Sequence, residues 1–159
     1  ARFGTHSKLG HGWFPKGERT SVKIKLGFQN FYVYSAVEIN SGQDFSLILP
    51  KVNTIAMNEF MTQLSQHLGG KEAIVVMDGA GWHKSKDLNV PQNLKIVYLP
   101  AYSPELNPVE KLWQYIKSHT IKNKICETIQ DLERVVCNFI QGLNPELIKR
   151  TCSSNHYTC

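Results

Sequence analysis

Two acidic residues stand where carboxylates could bind metal ions. Asp78 directly follows an apolar run, Ala73 to Met77, and glycines break the pattern after it. Ligands of open α/β sheets collect at such strand ends. Glu110 falls in the first turn of a helix that Pro108 favours. Two carboxylates held at one sheet rim suit hard divalent cations such as Mg²⁺, which activate an attacking oxygen in phosphodiester transfer. Taken singly, Asp78 is more simply a turn cap and Glu110 a favourable charge at a helix start.

Two strands and one helix must position these acids. The run Ala73 to Met77 predicts a strand buried on both faces, and Leu94 to Leu99 predicts the next strand. Three prolines then predict a stiff, extended connection into the helix. The apolar positions of that helix follow the i, i+3, i+4, i+7 spacing of a face packed on the sheet: Val109, Leu112, Trp113 and Ile116. Glu110 falls at the edge of this face, so its carboxylate is expected to point over the sheet rim toward Asp78.

The combination of motifs is more specific than either acid. The chain reads Asp-Gly-Ala-Gly-Trp-His from Asp78 to His83, and Leu-Pro-Ala-Tyr-Ser-Pro-Glu-Leu-Asn-Pro-Val-Glu-Lys-Leu-Trp from Leu99 to Trp113. These motifs closely resemble those of the DDE transposases of bacterial insertion sequences related to the mariner superfamily. Near the start, Arg-Phe-Gly resembles the tail of the family's Asp-Glu-x-Arg-Phe-Gly motif, and Gly-Trp-Phe-Pro-Lys-Gly resembles its Gly-Trp-x-Pro-x-Gly loop. The resemblance covers nearly the whole chain.

The resemblance implies a ribonuclease-H-like domain in which three carboxylates bind two Mg²⁺ or Mn²⁺ ions. Asp78 matches the second acid and Glu110 the third, whereas the first acid would lie just before Ala1. His83 matches a histidine of the family and is expected to orient the site; it could contact a metal, a substrate phosphate or only a backbone carbonyl. The implied reaction is cleavage of a DNA strand by water, followed by attack of a DNA 3′-hydroxyl on target DNA. The implied partners are transposon ends, target DNA and, in the full-length protein, a second copy.

The charge balance agrees with a DNA partner without requiring one. Among 159 residues, 18 Lys and Arg outnumber 13 Asp and Glu, which gives a net charge of +5 and attracts polyanions. The residues expected to contact DNA are Lys16, Arg19, Lys84, Lys86, Lys117 and Lys122; solvated surface cations are the alternative. No apolar segment approaches the ~20 residues needed to cross a bilayer, no signal peptide is evident, and the four cysteines lack metal-site spacing. We therefore expect a cytoplasmic, nucleoid-associated protein with reduced thiols and no membrane partner.

The remaining pattern predicts a single α/β domain over residues 1–159, truncated at its N-terminus. Its fold class is a ribonuclease-H-like mixed sheet, an antiparallel meander plus parallel strands, flanked by helices and with the first strand largely missing. The expected elements are a loop from Ala1 to Thr20, strands at Ser21–Phe28, Phe31–Ile39 and Phe45–Leu49, a helix from Asn53 closed by Gly69-Gly70, a last helix from Thr128, and a loosely ordered tail from Asn144 to Cys159. Glu38 and Asp44 flank the meander's hairpin, where acids are normally solvated.

These expectations combine into one function and two rivals. The chain is expected to be the catalytic domain of a transposase, performing metal-dependent DNA strand cleavage and strand transfer, and to be inactive alone because the first Asp is absent. A non-catalytic, DNA-binding transposase remnant is the main rival, and another ribonuclease-H-like nuclease ranks lower. Sequence upstream of Ala1 separates them, because an Asp-Glu pair there favours an enzyme and a start codon favours a remnant.

Overall fold

The computed structural model describes residues 1–4, 29–79, 85–101, 103–121 and 126–153. Its strands and helices follow in the order β1 (Arg2–Gly4), β2 (Asn30–Val37), β3 (Asp44–Leu49), α1 (Thr54–His67), β4 (Ala73–Met77), β5 (Leu94–Tyr98), α2 (Pro108–Thr120), α3 (Ile129–Gln141) and α4 (Pro145–Cys152). A short 3₁₀ helix, Pro104–Leu106, precedes α2.

The strands form an antiparallel meander and a parallel pair. β1, β2 and β3 pair in that order, with Phe3 opposite Phe31 and Tyr34 opposite Leu47. β4 and β5 run parallel, with Met77 opposite Tyr98. The predicted fold class, an antiparallel meander plus parallel strands flanked by helices, is thereby confirmed; in the described residues the two groups are separate hydrogen-bonded sheets. The predicted strand Ser21–Phe28 lies outside the described residues.

Helix α1 packs against both sheets. Its predicted N-cap is confirmed, because the Asn53 side chain accepts a hydrogen bond of 2.8 Å from the Ala56 amide, and Gly69 and Gly70 follow its end with positive φ angles of 59° and 84°. Its buried stripe comprises Met57, Phe60, Met61 and Leu64, which pack with Tyr34, Ala36, Phe45 and Leu47 of the meander and with Ala73, Val75, Met77, Leu94 and Ile96 of the parallel pair. One helix therefore covers the same side of both sheets.

Helices α2, α3 and α4 cover the opposite side of the meander. There Phe3, Phe31 and Val33 pack against a buried set from the helices, namely Leu112, Ile116, Leu132, Val136, Ile148 and Cys152. The predicted cap at Thr128 is confirmed, since its hydroxyl accepts a 3.0 Å hydrogen bond from the Asp131 amide. None of the described helices is long and apolar enough to span a membrane.

Three expectations are wrong in detail. Residues Arg2–Gly4 form a strand rather than part of a loop, because they pair with β2. The tail is helical over Pro145–Cys152, where Ile148 and Cys152 are buried one turn apart. β4 is not buried on both faces: Ile74 is 66% exposed and Val76 is 52% exposed, because the second helical layer packs on the meander instead of the parallel pair.

Candidate active site

Asp78 lies immediately beyond the carboxyl end of the parallel pair. The Leu99 amide donates a 2.8 Å hydrogen bond to the Met77 carbonyl, so the β4–β5 ladder continues up to the residue before Asp78. The Asp78 side chain is exposed. A rigid strand end thus presents this carboxylate at the rim where ligands of α/β sheets bind.

Glu110 lies in the first turn of α2, and the start of this helix is well defined. The Asn107 side chain accepts a 3.3 Å hydrogen bond from the Val109 amide, the Glu110 amide donates to the Asn107 carbonyl at 3.1 Å, and Pro108 occupies the first turn. Val109 is buried and Glu110 is half-buried, as expected at the edge of the packed face. The local sequence therefore fixes the backbone from which the Glu110 carboxylate projects.

Glu110 and Lys117 both influence the pKa of the Ala1 amine, at the start of β1. The Ala1 amine donates a hydrogen bond to the Val33 carbonyl, and the Val33 amide donates one of 2.7 Å to the Ala1 carbonyl. The pKa of the Ala1 amine is lowered from its usual 8.0 to about 5, mainly by burial and also by Lys117, whereas Glu110 opposes this shift. Lys117 Nζ also lies 5.6 Å from the Phe3 ring centroid. Glu110 and Lys117 thus both lie near the start of β1.

Asp78 is connected to the same region through the core under α1. Met77, the residue before Asp78, belongs to the buried cluster that also includes Tyr34. Tyr34 is the chain neighbour of Val33, which pairs with Ala1. The expected approach of Asp78 to Glu110, and their sharing of one metal ion, stay predictions.

The predicted DNA-contacting residues divide into two groups. Lys86 and Lys117 are described. Lys86 is exposed and lies in a turn, which is closed by a 3.1 Å hydrogen bond from the Leu88 amide to the Ser85 carbonyl. The other four, Lys16, Arg19, Lys84 and Lys122, lie outside the described residues, as does the predicted site-orienting His83, so these predictions stay untested.

Asn58, which the sequence analysis did not single out, holds the segment after β4. Its side-chain amide donates to the Asp87 carbonyl at 3.0 Å, and its side-chain oxygen accepts from the Asn89 amide at 2.8 Å. This one side chain of α1 thus fixes the turn that carries Lys86. An exposed-looking asparagine in a helix gives no sequence signal for a contact 29 and 31 residues away.

The donor chemistry of Asp78 and Glu110 suits Mg²⁺ or Mn²⁺. Both side chains offer only oxygen ligands, which these hard cations prefer. Within the described ranges, no group of three or more His, Cys, Asp or Glu side chains is arranged to hold a metal. The two acids fit a metal in type and fall one carboxylate short of the three that the motif resemblance implies.

Comparison with known families decides the family of the chain. A sequence model of the DDE superfamily endonucleases matches residues 1–133. The chain belongs to the DDE superfamily endonuclease family. This is the enzyme class of nucleases and transposases, and it confirms the family that the motifs around Asp78 and Glu110 indicated.

Two relatives of this DDE chain are bacterial proteins. An uncharacterized protein of Sinorhizobium fredii, y4pE/y4sA, is 36% identical over 107 residues, covering 67% of this chain and 79% of the relative. The insertion element IS630 uncharacterized 39 kDa protein of Shigella sonnei is 24% identical over 151 residues, covering 87% of this chain and 42% of the relative.

Solved structures share the fold. The Mos1 strand transfer complex matches with a TM-score of 0.68 and 13% identity, covering 96% of this chain and 48% of the Mos1 chain. The Mos1 transposase paired-end complex with left transposon end matches with a TM-score of 0.73 and 15% identity, with 96% and 49% coverage. These matches show that the chain shares its fold with the Mos1 transposase chains. The DDE chain spans about half the length of the IS630 and Mos1 proteins that it matches.

Proposed function

We propose that this DDE chain forms the catalytic core of a transposase that cleaves DNA strands and transfers a 3′ end to target DNA. The observation that carries the proposal is the placement of its two motif acids. Asp78 directly follows the carboxyl end of β4. Glu110 lies in the first turn of α2, close enough to the start of β1 to raise the pKa of the Ala1 amine. By the motif resemblance, the first acid would precede Ala1 in a longer chain.

Asp78 and Glu110 are the residues that would hold the metal ions, two Mg²⁺ or Mn²⁺ in the complete domain. When bound, such ions activate the attacking oxygen and stabilise the leaving oxygen of a phosphodiester. The chain's own contribution is to fix the carboxylates on rigid elements, through the β4–β5 ladder for Asp78 and the Asn107 cap for Glu110. We propose that His83 orients this site.

The proposed substrate is DNA, both transposon ends and target. Lys117 lies seven residues after Glu110 on α2 and acts on the same point at the start of β1, so it suits a phosphate close to the carboxylates. Lys86 on its fixed turn, with Lys16, Arg19, Lys84 and Lys122, would contact the backbone further away. The net charge of +5 supports binding that is electrostatic and largely independent of sequence. The Mos1 complexes support this partner, since one of them is a paired-end complex with the left transposon end.

We propose further that the full-length protein acts as a homodimer in the bacterial cytoplasm, associated with the nucleoid. Pairing of two transposon ends would require two active sites in one assembly. The bacterial sources of both sequence relatives are consistent with this location.

The decisive experiment measures nicking of transposon-end DNA with Mg²⁺ or Mn²⁺. It uses the chain extended upstream through the Asp-Glu pair, with Asp78→Asn and Glu110→Gln as test variants. Each should lose about a hundredfold or more of the nicking rate, since each removes charge from the reacting site, while DNA binding persists. Glu105→Gln is the matched control, because Glu105 is exposed on the 3₁₀ turn just before α2.

Nicking by Glu110→Gln at the rate of the Glu105→Gln control would refute the proposed role of Glu110. Binding without nicking by the extended parent chain would instead favour the DNA-binding remnant. DNA affinity should also fall steeply between low and moderate salt. Replacement of a single phosphate-contacting lysine, such as Lys117, by glutamine should reduce the slope of log affinity against log salt concentration by about one.

A further inference from the structure

An open cleft of about 480 Å³ lies beside β3, the outer strand of the meander. Of the candidate active-site residues that the structure describes, none lines it. One wall comes from the loop before α4 and from α4 itself, through Leu143, Pro145 and Ile148; the other includes Asp44 at the start of β3 and His67 at the end of α1. The cleft thus joins three elements that are distant in sequence and carries one carboxylate.

The walls of the cleft are held at a fixed spacing. Gly42, in the hairpin before β3, approaches α4 so closely that an added Cβ would lie 2.2 Å from the Pro145 carbonyl oxygen. The same glycine has a φ angle of +72°, and the hairpin is closed by the Gly42 amide, which donates to the Glu38 carbonyl at 2.8 Å. Such a contact leaves little freedom for the cleft to collapse onto Asp44.

Asp44 is half-buried and poorly supplied with hydrogen-bond donors. The Ser46 hydroxyl lies 3.4 Å from Asp44 and only 2.9 Å from Ser35 Oγ. At 3.4 Å the bond from Ser46 to Asp44 is long for a hydroxyl donor, so Asp44 receives only a weak interaction from this serine. Burial raises the pKa of Asp44, partly offset by Ser46 and by His67. A carboxylate in this position retains acceptor capacity toward the cleft.

The described part of the chain supplies no strong counter-ion for Asp44. Its two recorded lysine or arginine ion pairs lie elsewhere, between Arg134 and Asp131 and between Lys149 and Glu146. His67 also acts electrostatically on Asp44, and its ring packs on Phe45 with centroids 5.0 Å apart.

We propose that this cleft binds an alkylammonium or guanidinium group, with Asp44 as its counter-ion. The cationic head would meet the carboxylate, and its hydrocarbon stem would lie along the apolar wall of Leu143, Pro145 and Ile148, in the way that long basic side chains cover apolar surface. Pairing with a cation compensates the cost of keeping Asp44 charged while half-buried. The group could be the side chain of a lysine or arginine on a protein partner, or a free polyamine.

The test titrates the chain with n-butylammonium and follows backbone amide NMR signals of Gly42, Gln43 and His67. The pH is kept above the range in which histidines change charge. We expect saturable shifts with millimolar affinity, no comparable shifts with n-butanol, and at least about fivefold weaker binding to Asp44→Asn, since charge-assisted contacts at partly exposed sites are modest. A second titration with N-acetyl-lysine methylamide distinguishes the sources: tighter binding than n-butylammonium indicates a protein side chain, and equal or weaker binding indicates a free amine.

Glu146→Gln is the matched control, because it removes one negative charge from α4 next to Pro145. It should leave affinity unchanged, whereas a general attraction of cations to this surface would weaken binding in both variants alike. Equal shifts with n-butanol and n-butylammonium, or an Asp44→Asn chain that is folded by circular dichroism and binds as tightly as the parent, would overturn the proposal. So would equal weakening by Asp44→Asn and Glu146→Gln.

Discussion

When the 159-residue chain is prepared with a free amine at Ala1, acetylation of that amine should make folding less sensitive to acid. In the folded state the pKa of the amine is lowered from 8.0 to about 5, mainly by burial. Above pH 8 the amine is neutral in both states and costs nothing. As the pH falls from 8 toward 5, the unfolded chain takes up a proton that the folded chain does not, so the free energy of unfolding decreases. Below pH 5 both states are protonated and the loss is complete.

The size of this loss follows from the shift. A fall of about three units, at about 1.4 kcal/mol for each unit, would amount to about 4 kcal/mol if it were fully expressed. Ala1 keeps part of its surface exposed, and solvent screening reduces such effects. We therefore expect a measured loss of about 2 kcal/mol between the two pKa values, which is a large fraction of the stability of a small domain.

The assay is urea unfolding, followed by tryptophan fluorescence, of the free-amine and N-acetylated chains in the same buffers. Acetylation removes the charge and retains an N–H that can donate to the Val33 carbonyl, while Asp44 and the histidines titrate equally in both chains. The difference in free energy of unfolding should be constant above pH 8 and should grow as the pH falls to 5 in favour of the acetylated chain. A difference that does not depend on pH would refute a buried amine at this position.

Two substitutions then test the site itself without any metal. Glu110 raises the pKa of the amine and Lys117 lowers it, so Glu110→Gln should enlarge the acid-dependent loss in the free-amine chain and Lys117→Met should reduce it. The opposite signs exclude a general effect of mutation. If neither variant changed the pH dependence, Glu110 and Lys117 would not both lie at the start of β1.

Two further predictions concern packing around the site and the cleft. Asn58→Ala should lower the free energy of unfolding by about 1–2 kcal/mol, because it removes two hydrogen bonds, and it should speed hydrogen exchange at the Asn89 amide. Thr62→Ala, at an exposed position of the same helix, should not change that exchange rate. Unchanged exchange in Asn58→Ala would contradict the contact. Gly42→Ala should lower the free energy of unfolding in urea by about 3 kcal/mol or more, because its Cβ would lie 2.2 Å from a backbone oxygen of α4. Gly69→Ala is the control: its φ is +59° but the space around it is open, so it should lower the free energy of unfolding by only about 1 kcal/mol. Equal losses would mean that the close approach at Gly42 is absent.

Local signals predicted the elements that have strong caps. Asn53, Asn107 and Thr128 each precede a helix and accept a hydrogen bond from an amide in its first turn. The same signature at Asn144 was missed: its side chain accepts from the Leu147 amide at 2.8 Å, and proline follows it as in α2. The eight-residue α4 has a short apolar pattern, so its stability comes from packing Ile148 and Cys152 against the other helices.

The exposure of β4 could not be read from its sequence. An apolar run predicts burial only if helices cover both faces of the strand. Here α1 covers one face, and the second layer follows the apolar faces of α2 and α3 onto the meander, where Phe3, Phe31 and Val33 receive them. Which sheet a helix covers depends on the whole arrangement, and that information is not contained in residues Ala73 to Met77.

The two acids differ in how their positions are determined, and this difference bears on the chemistry. Glu110 depends on local signals, because the Asn107 cap and Pro108 fix the first turn of α2 wherever that helix packs. Asp78 depends on long-range pairing, because its place follows from the parallel register of Met77 with Tyr98 and from the packing of Met77 under α1. A site that joins them therefore forms only when the meander, α1 and the parallel pair are assembled together. Metal affinity should then be lost on mutation of buried residues of α1, such as Met61, even though no atom of Met61 belongs to the proposed site.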